Sequence, residues 1–164
     1  MAYKVGIGQD SHRFTNDPQK KCILGGVEIF GEQGFDADSD GDIIFHSLCN
    51  AITSVTHVPI LGDKAIKLCH EEKIVDSQIY LDEALKTLKD FTISHVAITL
   101  EGKRPRLQAM MMKIRENVAK SLGIPVDDVG ITITSGNGLT RFSEGLGMQA
   151  ISVVTFCKTS KLQK

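Results

Sequence analysis

Side chains of the kind that hold metal ions, Asp10, His12 and His46 among them, fall in two short segments, Asp10-Ser11-His12 and Ser39-Asp40-Gly41-Asp42-Ile43-Ile44-Phe45-His46. On an extended backbone, residues two apart project to the same side, so Asp10 and His12 can face one ion. His46 falls in a helical pattern, nearly opposite an apolar stripe of Ile44, Leu48, Ala51, Ile52 and Val55. Burial in the main core is therefore not its obvious task, and its partners must come from elsewhere in the chain. Two imidazoles and a carboxylate form a ligand set for a catalytic zinc, with a fourth position left for substrate or water. Each piece alone is weak: Asp-x-His is common by chance, and a capping box with Ser39 at the N-cap and Asp42 at N3 accounts for both residues without any ligand. Cys49, a turn beyond His46, reads as a small packed thiol, because a fourth protein ligand would close the zinc.

The elements that must position these residues follow from hydrophobic period. Residues 3–9 alternate as a strand does, with glycines where a backbone can be approached closely. Residues 22–30 read as two short strands joined at Gly25-Gly26, and the first helix spans roughly 40–57. The stretch 58–75 has the weakest pattern, with a turn at Leu61-Gly62-Asp63, a helical turn or two within Lys64–His70, and expected mobility. A second helix starts at Asp76 or Ser77 and buries Leu81, Ala84, Leu85 and Leu88. A strand over 93–100 leads into a basic loop broken by Pro105; Leu107, Met111, Ile114, Val118 and Leu122 then sit at helical spacing, with Gly123 as the stop. Residues 129–134 and about 147–157 are strands, the last apolar on both faces and so central in its sheet. The pattern predicts an α/β (α+β) fold with helices packed on one face of a sheet, whose other face is most simply covered by self-association. Residues 1–158 read as one domain and 159–164 as a polar tail.

Composition bounds the partners. The chain of 164 residues carries 19 basic and 20 acidic side chains, which gives no bulk electrostatic case for nucleic acid or a membrane surface. Aromatic residues make up 5% and Trp is absent, which argues against base-stacking platforms. Four cysteines without close pairing suggest free thiols in a reducing compartment. The opening residues lack an apolar leader and no run is long enough to span a bilayer, so a cytoplasmic protein is expected.

Taken in order, these segments resemble one family over nearly the whole chain, 2-C-methyl-D-erythritol 2,4-cyclodiphosphate synthase. The resemblance rests on Gly8-Gln9-Asp10-Ser11-His12-Arg13-Phe14, on Ile23-Leu24-Gly25-Gly26-Val27, and on the intact S-D-G-D-x-x-x-H of Ser39 to His46. Leu61-Gly62-Asp63, Asp76-Ser77, Arg104-Pro105-Arg106-Leu107 and Glu144-Gly145 follow in matching order. It implies a bacterial, cytoplasmic homotrimer with sheets facing the central axis and sites between subunits. Zinc would be held by Asp10, His12 and His46, and a magnesium or manganese ion would sit on the diphosphate. The substrate would be the nucleotide 4-diphosphocytidyl-methylerythritol 2-phosphate, with CMP leaving as the 2-phosphate attacks the β-phosphate. Ser39 and Asp63 would hold the methylerythritol phosphate, Lys103, Arg104, Arg106 and Leu107 match the cytidine pocket, and Thr132, Thr134 and Ser135 match the segment along the diphosphate.

The chain departs from the family pattern around the phosphates. Asp38 stands where a histidine is usual, Ile133 where a phosphate-contacting threonine is expected, and Ser135 where the second metal's glutamate is expected. Phe142 occupies the place of an arginine near the trimer axis. Three readings are open: a cyclodiphosphate synthase in which Asp38 recruits the second cation and acts with Thr134 in catalysis, a zinc enzyme acting on another phosphate ester, and a non-catalytic zinc-binding trimer. The first is favoured because every zinc ligand is kept.

Overall fold

The structure, a computed structural model, describes residues 2–159. Its elements in chain order are β1 (Tyr3–Arg13), β2 (Lys21–Leu24), β3 (Val27–Gln33), α1 (Ile43–Thr56), α2 (Asp63–His70), α3 (Ser77–Leu85), β4 (Phe91–Glu101), α4 (Met111–Leu122), β5 (Val129–Thr134) and β6 (Gly147–Lys158), with short 3₁₀ turns between some of them. All but Thr159 of the polar tail read at 159–164 lies outside the described residues.

Four strands form a mixed sheet in the order β1-β6-β4-β5, and β2-β3 is a separate hairpin. β6 pairs antiparallel with both β1 and β4, which gives its doubly apolar sequence the central place expected, while β4 and β5 run parallel. The helices lie on one face: α1 packs on β1 and β6, α4 on β5, and α3 against both helices. Val96, Ile98, Leu100, Ala150, Val154 and Phe156 bury the inner face against Leu48, Ile52, Leu81, Ile114 and Val118. Each such large apolar side chain contributes about 1.5–3 kcal/mol. No element among the described residues covers the outer face, which leaves Tyr3, Val5, Ile7 and Val153 exposed.

Two glycines decide how α1 meets the sheet. A Cβ on Gly6 would stand 2.2 Å from the Ala51 carbonyl oxygen, and one on Gly8 would stand 2.0 Å from that of Ser47. Lacking side chains, these residues let the backbones of β1 and α1 touch. Asn50 Nδ2 then donates to the Gln9 carbonyl at 2.9 Å, and the Ser47 and Ser152 hydroxyls meet at 2.6 Å.

Helix α1 starts later than its sequence pattern suggests. Gly41 has φ +72°, outside the right-handed helical region, so the chain cannot be helical from residue 40. Asp42, not Ser39, is the N-cap, and its Oδ1 accepts the N–H groups of Ile44 and Phe45 at 3.0 and 3.1 Å. The same carboxylate takes the N–H groups of Gly25 and Gly26 at 2.9 and 2.6 Å, tying the β2-β3 turn to the helix. Of the backbone N–H groups, the Ser39 hydroxyl accepts that of Gly41 at 3.2 Å, and it makes no capping box. Asp76 caps α3 by accepting the Gln78 N–H at 2.8 Å. Residues 63–70 form two turns of helix with no fully buried residue, and α4 begins at Met111 after a turn that starts at Leu107.

Candidate metal centre

The inner face of β1 reads Gly6, Gly8, Asp10, His12, so the strand that seats α1 through its glycines carries two candidate ligands just past the helix start. The Asp42 cap places His46 one turn into α1, directly over them. His46 Nδ1 lies 3.0 Å from Asp10 Oδ2, His12 Nε2 lies 3.1 Å from the same oxygen, and the two ring nitrogens are 3.5 Å apart. These are the residues among those described that form a metal-sized cluster. Ligands about 2.0–2.1 Å from a tetrahedral zinc stand about 3.3 Å from one another. Three atoms separated by 3.0–3.5 Å, two of them imidazole nitrogens, fit that requirement.

The electrostatics agree with the geometry. Burial alone would raise the Asp10 carboxyl, but hydrogen bonds and charge from His12 and His46 more than offset it and hold it far below the usual carboxylate range. Burial disfavours a charged His46, yet the Asp10 carboxylate reverses this and raises its pKa. A site that attracts protons this way attracts a cation in their place. His46 is 7% exposed, because Tyr80 and Ser77 of α3 cover the side of α1 that the apolar stripe leaves open. Cys49 is fully buried and is not part of the cluster, and burial pushes its thiol up, in keeping with a packed thiol.

The triad floors a cleft of about 520 Å³, whose walls include Asp38, Ser39, Leu61, Ala65, Ile66 and Cys69. Ser39 is buried with its Oγ 3.4 Å from His46 Nε2. Asp38 stands exposed at the rim, and its Oδ2 is 3.3 Å from Nε2 of His70 on α2. Asp63 is the exposed first residue of α2, at the end of the helix next to Leu61 and Gly62.

The remaining expected site residues lie apart from this cleft. Register runs Asp10, Ala150, Leu100, Ile133 across the sheet. β5 is thus three strands from β1, roughly 14 Å at the usual spacing. Ile133 turns inward against the core, while Thr132 and Thr134 are exposed on the outer face and Ser135 hydrogen-bonds to Asn137. Arg104 lies over the Phe14 ring at 4.2 Å and bonds to Gln33, Leu107 is buried, and Lys103 and Arg106 are exposed. One chain therefore assembles the metal triad, Asp38 and Ser39, but leaves residues 103–107 and 132–135 at other surfaces. Three residues around the site were given no part in it by sequence reasoning: Ser77, which reads as a cap candidate and as half of a family-matching Asp-Ser pair; Asp40, hidden inside the S-D-G-D motif; and Tyr80, which covers His46.

The sequence model of the YgbB family matches residues 3–157. The 2-C-methyl-D-erythritol 2,4-cyclodiphosphate synthases of Chlamydia caviae and Chlamydia felis are 53% and 54% identical over 155 residues, covering 93% of this chain and 88% of each relative. A solved 2C-methyl-D-erythritol-2,4-cyclodiphosphate synthase shares the fold at a TM-score of 0.78 and 27% identity, over 94% of this chain and 100% of that one. A CDP-bound form of such a synthase gives 0.77 and 26%, over the same shares of the two chains. The fold is thus shared with solved synthases, and the chain belongs to the YgbB family of 2-C-methyl-D-erythritol 2,4-cyclodiphosphate synthases.

Proposed function

We propose that the protein converts 4-diphosphocytidyl-2-C-methyl-D-erythritol 2-phosphate to 2-C-methyl-D-erythritol 2,4-cyclodiphosphate, as a phosphorus–oxygen lyase in the bacterial cytoplasm. An oxygen of the 2-phosphate bonds to the β-phosphorus, the bond from that phosphorus to the bridging oxygen breaks, and CMP leaves with the bridging oxygen. The observation that carries the reading is the Asp10–His12–His46 cluster at the floor of an open cleft.

The nucleophile belongs to the substrate, so the protein has to fold the chain of phosphates into line and offset its charge. Zinc held by Asp10, His12 and His46 would supply Lewis-acid polarisation of a phosphoryl oxygen and a fixed template. Ser39 and Asp63 line the methylerythritol phosphate. Asp38, exposed at the rim, recruits the magnesium or manganese ion that Ser135 does not hold.

The cytidine and diphosphate groups, Lys103, Arg104, Arg106 and Leu107 with Thr132, Thr134 and Ser135, act from a neighbouring subunit of a homotrimer, with Thr134 against the reacting diphosphate. Two features support this: those residues stand away from the triad of their own chain, and an uncovered sheet face exposes Tyr3, Val5 and Ile7. The CDP complex of a solved family member supports a cytidine nucleotide as ligand.

The test is CMP release from this substrate by the zinc-loaded protein with magnesium present. Release that is lost in His46→Ala, with the protein still folded and assembled, is the expected result. A zinc-loaded trimer that releases no CMP would move the assignment to another phosphate ester, to be sought among nucleotides and sugar phosphates.

A further inference from the structure

The Nε2 side of His46 meets a serine that the reading of the metal site does not use. Ser77, the first residue of α3, is fully buried and places its Oγ 2.9 Å from His46 Nε2. The same hydroxyl bonds to Oδ1 of Asp40, whose other oxygen accepts the Ser77 N–H at 3.0 Å. Asp40 Oδ1 also accepts the Asp42 N–H at 3.0 Å, so the carboxylate is held from both ends.

The direction of each hydrogen follows from chemistry. An ionised carboxylate only accepts, so the Ser77 hydroxyl donates to Asp40 and turns its oxygen toward His46 as an acceptor. Nε2 must then carry a hydrogen, and a neutral imidazole protonated there has its lone pair on Nδ1. That is the atom facing Asp10 Oδ2 and His12 Nε2. Ser39 Oγ is a poorer acceptor for Nε2, being farther away at 3.4 Å and already taking the Gly41 N–H.

We propose that Ser77 and Asp40 form a hydroxyl–carboxylate relay that holds His46 in the Nε2–H tautomer and so sets the zinc affinity of the Asp10–His12–His46 site. The proposal rests on the zinc reading above. Ser77 and Asp40 are positioning residues, acting on the metal through His46. The relay also joins the start of α3 and the loop before α1 to the ligand on α1.

Zinc affinity, measured by chelator competition with zinc alone as the probe, tests the relay in wild type, Ser77→Ala, Asp40→Asn, the double variant and Ser77→Thr. Loss of an outer partner of a ligating histidine costs about 10–100-fold in metal affinity. That loss is expected in Ser77→Ala, with no further loss on adding Asp40→Asn and with recovery in Ser77→Thr. Nitrogen-15 NMR of the zinc-loaded wild type, which needs no variant to fold, should show His46 protonated at Nε2 and metal-bound at Nδ1. Wild-type affinity in Ser77→Ala, full additivity of the two substitutions, or the opposite tautomer each overturns the relay. Wild-type protein that takes up no zinc removes the metal reading and the relay together, an outcome distinct from those three.

Discussion

The backbones of Gly8 and Ser47 approach so closely that a methyl group on Gly8 would lie 2.0 Å from the Ser47 carbonyl oxygen. This contact sets how far Asp10 and His12 on β1 stand from His46 on α1. Gly8→Ala must push the helix outward or bend the strand, at a cost of about 1–3 kcal/mol or more. The expected result is a lower urea midpoint together with weaker zinc uptake. Normal zinc uptake in a destabilised variant would show that the triad tolerates a displaced helix.

Asp42 is the N-cap of α1 and accepts four backbone N–H groups from two segments. Asp42→Ala leaves these donors without their acceptor, those of Gly25, Ile44 and Phe45 in a buried place. Cap loss and unsatisfied donors together should destabilise the protein by about 2–4 kcal/mol. Asp42→Asn keeps one acceptor oxygen but turns an amide toward N–H donors, and should also lose stability. Chemical denaturation of both variants, with a loss under about 1 kcal/mol for Asp42→Ala, would contradict this.

The pairing of Asp10 with His46 predicts opposite pH trends without and with metal. In the metal-free protein, His46 is raised above its ordinary 6.5. Its contribution is fully present below that value and is lost as pH rises through the folded pKa. Asp10 is depressed, so its contribution is present above the unfolded value near 3.8 and lost as pH falls toward the folded one. The pair thus favours the metal-free fold most between about pH 4 and 6.5. Zinc needs an unprotonated Nδ1, so the stability added by zinc grows as pH rises. Unfolding with and without zinc from pH 5 to 9 checks this, and a zinc increment independent of pH would count against it.

His70 competes with a cation for Asp38 in the proposed mechanism. Both side chains are largely exposed, so their pairing is worth under about 1 kcal/mol, a factor of about five in an equilibrium. His70→Ala should lower the magnesium concentration for half-maximal CMP release by up to about fivefold, and Asp38→Ala should raise it. An unchanged magnesium requirement in both variants would remove Asp38 from the second-cation site.

The uncovered sheet face predicts assembly through β1. Ile7 is 62% exposed at the centre of a row with Val5 and Val153. Ile7→Glu should convert the proposed trimer to monomers, read by light scattering, and CMP release should fall with it because the proposed arrangement takes the cytidine groups from a neighbour. A monomeric variant with full activity would place the whole site within one chain.

Local chemistry was legible in the sequence. The i, i+2 spacing of Asp10 and His12 put both on one side of a strand, and doubly apolar 147–157 announced a central strand, because period and burial are properties of a few neighbouring residues. The family, too, could be read from ordered motifs. Helix α1 was misplaced at its start because Ser39 and Asp42 satisfy a capping box on paper, whereas Gly41 at positive φ rules out a helix there and Asp42 serves two segments at once. Only the tertiary structure decided that His46 is buried, that Ser77 and Asp40 close its far side, and that Asp38 meets His70. Those contacts join residues 31–37 positions apart, and their partners are set by how α2 and α3 pack over the cleft. The sheet register likewise decided that Thr132 and Thr134 face away from the triad of their own chain, since a strand's two faces are told apart only once its neighbours are in place.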